Sequence, residues 1–70
     1  MIREYDIVHA LRDLNDNVLK GHKGTVLIIY PDFPPAYEVE FFDENFYTLD
    51  VLTVKDEDIG LIPQHGLTGI

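Results

Sequence analysis

Glu38, Glu40 and Asp50 are the carboxylates whose spacing could do chemistry, with Phe42 and Phe46 between them. "AYEVEFF" (36–42) and "FYTLDVLTV" (46–54) both alternate apolar and polar residues, the pattern of half-buried strands. Joined by a turn at "DEN" (43–45), they predict a hairpin that pairs Phe42 with Phe46, Val39 with Leu49 and Tyr37 with Val51. Glu38, Glu40 and Asp50 then share one outer face, with Glu38 opposite Asp50 and the two rings at its end. Three oxygen ligands could hold a divalent ion weakly, but no dense carboxylate loop accompanies them. Glycosidase-type acid–base work needs a cleft with differently tuned carboxylates, and a small domain filled by its own side chains leaves little room for one. Two readings survive: a solvated acidic surface, or a contact face in which Phe anchors a partner and carboxylates steer its approach.

A second candidate is "KGHKGTV" (20–26), with two glycines three residues apart around His22 and Lys23. The clamp loop of one RNA-binding domain has this Gly spacing, but it joins two helices, and here a β-branched run follows directly. A phosphate-binding loop needs a longer Gly spacing and a following helix. Gly21 and Gly24 therefore read as structural turn residues, one of them at positive φ. His9, His22 and His65 have no ligand spacing, and the chain contains no serine and no cysteine. A Ser–His–Asp triad, thiol catalysis and thiolate metal sites are thereby excluded. Catalytic, cofactor and metal residues are all expected to be absent.

The third candidate is "IYPDFPPAY" (29–37), where Phe33 stands among prolines at a loop tip. Folding back over one end of the core is its expected role, because a chain this short is poor in core. Exposure as an anchor for a partner is the alternative.

The elements that must position these residues follow from pattern. Seventy residues make one domain, 46% hydrophobic and 26% charged, too apolar for disorder. "TVLIIY" (25–30) is a buried strand, "PDFPP" (31–35) a turn, "KDED" (55–58) a polar turn, and "IGLI" (59–62) a short closing strand. Leu52 and Val54 keep the outward parity of the hairpin yet are apolar, so the strand bulges there or the strip is covered, for instance as a homodimer contact. Residues 1–63 form the domain and "QHGLTGI" (64–70) a loose tail. The first third is ambiguous. Ile7, Leu11, Leu14 and Val18 recur at helical spacing, predicting a helix over 5–19 packed on a three- to four-stranded antiparallel meander, an α+β fold. "DLNDN" (13–17) opposes it with turn formers, favouring a short strand around "YDIVHAL" and a polar loop.

Three stretches, "REYDIV", "LKGHKGTVLIIYPD" and "AYEVEFFDE…LTVKDEDI", resemble the small bacterial proteins of domain-of-unknown-function family 4926 over about residues 2–62. The resemblance implies an all-β, five-stranded SH3-like barrel with a long polar loop at 12–23, and no established activity. It turns the first third from helix to strand plus loop. "LNDNVLKG" and "FPP" depart from the family pattern, the second giving a longer, stiffer turn.

Thirteen acidic against five basic side chains give a net charge of −8. That field repels phosphate backbones and anionic membranes, so neither nucleic acid nor membrane is an expected partner. No signal peptide is visible and the longest apolar run is "VLIIY", which points to the cytoplasm. The expected function is a small cytosolic, non-enzymatic protein-interaction module or accessory subunit. Its partner is another protein, basic or a copy of itself, met through Phe33, Glu38, Glu40, Phe42, Phe46 and Asp50, with a homodimer through Leu52 and Val54. The alternatives are a regulatory or immunity-type protein that neutralises a basic partner, and a nucleic-acid-binding barrel.

Overall fold

The computed structural model describes residues 1–63 of the chain; the expected tail at 64–70 lies outside them. Five strands form one antiparallel sheet: β1 (Ile7–Ala10), β2 (Lys23–Tyr30), β3 (Ala36–Phe42), β4 (Thr48–Lys55) and β5 (Ile59–Leu61). Their order across the sheet is β4-β3-β2-β1-β5. The fold is all-β, and the N-terminal helix is not formed. Of its expected apolar stripe only Val18 is fully buried, while Leu11 is exposed. The polar cluster instead bonds its own backbone, as Asn and Asp do in competition with helix. Asn15 Oδ1 accepts the N–H groups of Asn17 and Val18 at 2.9 and 2.8 Å, and Asp13 accepts that of Lys20 at 2.8 Å. These bonds shape a loop that drives Val18 into the core.

Alternation sets the inner face. Val8 and Ala10 of β1, Val26 of β2, Tyr37, Val39 and Phe41 of β3, Val54 of β4 and Ile59 of β5 are buried together. Each of the larger side chains contributes on the order of 1.5–3 kcal/mol by leaving water. Two irregularities change the parity. In β2 the pairing with β3 shifts between Val26 and Ile28, so Leu27 is extra. Ile29 then packs toward the core while Ile28 and Tyr30 face out. In β4 the pairing with β3 shifts between Phe41 and Phe42, so Leu49 is extra.

The second shift overturns the expected hairpin register. Val39 pairs with Leu52 and Tyr37 with Val54, three residues further along β4 than the alternation implied, and Phe42 pairs with Thr48, not Phe46. An odd slip exchanges the faces. Val54 is therefore core and Leu52 packs against it. The outward apolar strip does not exist, and with it goes the surface for the expected homodimer contact. A bulge, the other explanation of these two residues, is present.

Loop and turn groups tie the sheet's two outer strands to the rest. Leu11 N–H donates to the Asp58 carbonyl at 2.9 Å, and the Arg12 guanidinium grips the Asp58 carboxylate. Burial raises the Asp58 carboxyl, but the Lys55 N–H and the Arg12 and Lys55 charges outweigh it, and the group is held below its ordinary value. Along β4, Val51 N–H donates to Asp50 and Lys55 N–H to Asp58, at 2.9 and 3.0 Å. Carboxylates thus occupy N–H groups that an edge strand would otherwise offer to a foreign strand.

Candidate outer face and groove

Residues that pair directly across strands share a face, so the register maps the outer surface of β2, β3 and β4. Ile28, Glu38 and Thr53 form one row across it, and Thr25, Glu40 and Val51 the next. Tyr30, Ala36 and Lys55 lie on one side of these rows, and Lys23, Phe42 and Thr48 on the other. Ile28, Tyr30 and Val51 are exposed apolar side chains on this face. Exposed apolar side chains thus border the two carboxylates on this face.

Glu38 and Glu40 lie where the sequence implied, in the middle of the face. Each is held by a threonine of β4: Thr53 Oγ1 donates to Glu38 at 2.6 Å, and Thr48 Oγ1 to Glu40. These bonds orient the carboxylates without neutralising them. Among the described residues the ion pair is Arg12–Asp58, on neither of these glutamates. Asp50 does not join them. It pairs with Phe41, not Glu38, on the core side of β4, where Asn15 Nδ2 reaches its Oδ2 at 2.9 Å. The expected pairing of Glu38 with Asp50 is absent, since Thr53 stands opposite Glu38.

Phe33 does not fold back over the core. Its exposure is 102% at the tip of the loop that follows Tyr30. At the other end, Phe42 and Phe46 meet with ring centroids 5.6 Å apart. The β3–β4 turn that carries Phe46 is built on Asp43, whose Oδ1 accepts the N–H groups of Asn45 and Tyr47 at 2.8 and 3.0 Å. Phe46 has φ 67° and is 79% exposed as a residue. A bulky residue in the left-handed region is a strained outlier, and little burial offsets the cost.

Of the two glycines expected in the corner turn, Gly21 lies in it, whereas Gly24 lies inside β2 and not in the turn. Gly21 takes φ 94°, the left-handed conformation that glycine adopts without strain. Gly24 is there for close approach: a Cβ would lie 2.6 Å from Val39 Cγ1 and 2.9 Å from Phe41 Cδ1. Between this corner and the β3–β4 turn runs a groove of about 580 Å³, lined by His22, Lys23, Phe42, Glu44 and Phe46 among others. A smaller slot of about 200 Å³ lies between Arg12–Leu14 and Leu52–Val54. His9, the other described histidine, lies over Gly60, with its Nε2 2.8 Å from where a Cβ there would stand. Among the described residues, no three His, Asp or Glu side chains are grouped to hold a metal ion.

Ile28, Tyr30 and Val51 are not legible as surface residues in the sequence. "VLIIY" (26–30) is apolar throughout, so no alternation betrays the bulge that turns two of its members outward. His22 and Lys23 read in sequence only as turn residues; their apposition to Phe42 and Phe46 depends on long-range pairing. No helix of the described residues is long and apolar enough to cross a membrane.

Comparison with curated proteins and with solved structures finds no match. The family described as "Domain of unknown function (DUF4926)" matches residues 4–61, which spans all five strands and both candidate surfaces, and the chain belongs to that family.

Proposed function

We propose that this chain is a small cytosolic, non-enzymatic interaction module or accessory subunit on an SH3-like frame, and that it docks a basic protein through the outer face of β2, β3 and β4. The observation that carries the reading is the pair Glu38 and Glu40, oriented by Thr53 and Thr48, free of ion pairing among the described residues, and bordered by exposed Ile28, Tyr30 and Val51. Alternate residues on a strand are about 7 Å apart, which matches lysines or arginines at alternate positions of an extended partner. Phe33 stands beyond one end of the face as an apolar anchor. A second copy of this chain fits the face poorly, because it brings the same carboxylates and the same net charge of −8. Neutralising a basic partner, as a regulatory or immunity-type protein would, is one use of such docking.

A capped extended peptide with lysine at alternate positions tests the reading by calorimetry. Binding is expected with the native chain, loss with Glu38→Lys/Glu40→Lys, and retention with Asp50→Asn. Equal binding by the double variant would contradict the proposal.

A further inference from the structure

We infer that the groove between the Gly21–Lys23 corner and the β3–β4 turn is an anchor site for an extended segment of a partner protein. That segment carries an aromatic or large apolar side chain next to an acidic one. The inference rests on the interaction reading above but uses other residues, at the other end of the molecule from Phe33.

The apolar wall is the Phe42–Phe46 pair. The exposed Phe46 ring sits on a backbone that glycine would adopt without strain, so the ring is held over the groove at a cost in stability. The opposite wall supplies donors. His22 Nδ1 accepts the Leu19 N–H at 2.9 Å, which places the proton of the neutral ring on Nε2, the nitrogen remote from that bond. Lys23 is exposed and makes no ion pair among the described residues. A carboxylate beside the anchor satisfies both donors. On the turn, the Asp43 carboxylate already accepts two backbone N–H groups, while Glu44 is exposed and favours a basic residue on the far side of the anchor. A space above Gly21, where a Cβ would meet nothing within 4 Å, leaves room for the partner's backbone. Nucleotides offer a ring and an anion too, but their phosphates meet Glu44 and a chain of net charge −8. A single carboxylate flanked by a cation suits this mixture of charges better.

The test uses amide-shift mapping on the full chain with the capped peptide Gly-Asp-Trp-Lys-Gly. Control peptides replace Trp by Ala or Asp by Lys, and adenosine monophosphate is run in parallel. Saturable shifts at the amides of Gly21, Lys23, Phe42 and Phe46 are expected with the Trp peptide and not with its Ala control. Lys23→Glu and Phe46→Gly should each weaken binding at least about tenfold, whereas Glu38→Lys/Glu40→Lys should not. Phe46→Gly removes the ring while relaxing the backbone, so its loss of binding is not a loss of fold. Shifts confined to Glu38 and Glu40 would overturn the groove and leave the outer face standing. Nucleotide binding in the groove without peptide binding would replace the proposed partner, and silence toward every probe would overturn the site.

Discussion

Asn15 and Asp50 are 35 residues apart in sequence and joined side chain to side chain, Asn15 Nδ2 to Asp50 Oδ2 at 2.9 Å. This bond fastens the polar loop after β1 to the start of β4. The shift at Leu49 puts Asp50 on the core side, where this bond holds it, and leaves Glu38 and Glu40 as the two carboxylates in the middle of the outer face. Asn15 further accepts two backbone N–H groups of its own loop, so one side chain shapes the loop and anchors it.

Asn15→Ala should therefore cost more than an ordinary surface change. Leaving two N–H groups and one carboxylate oxygen without their partner should lower stability by about 1–3 kcal/mol. Urea denaturation measures it, and Asp50→Asn should cost less, because the new side-chain amide retains an acceptor oxygen.

Tyr37 should give the protein an alkaline limb. Burial, then the hydrogen bond to Asp56, then the Asp56 charge push its hydroxyl up to about 12. The unfolded chain releases this proton near pH ~10 and the native state keeps it. The stabilising contribution is therefore complete below pH ~10 and is lost as pH rises toward about 12, by roughly 2–3 kcal/mol in all. Denaturation midpoints across that range should fall more steeply for the native chain than for Tyr37→Phe.

Gly24→Ala should damage folding, because its Cβ would press on Val39, Phe41 and the Glu40 carbonyl at 2.6 to 3.0 Å. Overpacking of this kind costs about 1–3 kcal/mol. Gly21→Ala meets no atom and should carry only the left-handed backbone cost of about 1–2 kcal/mol. Thermal melts that show Gly24→Ala as stable as the native chain would contradict the close approach.

Phe46→Gly and Phe46→Ala separate backbone strain from ring contact. Both remove the Phe42 contact, but only glycine relieves φ 67°. In thermal melts the glycine variant should be more stable than the alanine variant by about 1 kcal/mol.

Most of the strand content was legible in local pattern, because β-branched runs and alternation at 25–30, 36–42 and 46–54 mark strands without reference to partners. Register was not. "FYTLDVLTV" is apolar on both parities, at Tyr47, Leu49 and Val51 and again at Leu52 and Val54, so period alone admits either face. The extra residue at Leu49 and the five-residue turn held by Asp43 decide between them, and both are set by contacts across the hairpin. The candidate site divides the same way. Glu38, Glu40 and the Phe42–Phe46 pair follow from one strand's alternation and a turn, whereas the placing of Asp50 depends on the register shift at Leu49, and its partner Asn15 is far away in sequence. Phe33 was expected to fold back over one end of the core and is instead exposed, while Val18, delivered by the polar loop, is buried in the core.

Docking on the outer face is tested most directly by amide-shift mapping with the alternating-lysine peptide at about 0.15 M salt, where exposed long-range charge effects are screened beyond about 8 Å. Saturable shifts at Ile28, Glu38, Glu40 and Val51, absent from Glu38→Lys/Glu40→Lys, are the expected result. Shifts scattered over acidic residues elsewhere, such as Glu4 and Glu57, and vanishing at that salt would contradict it.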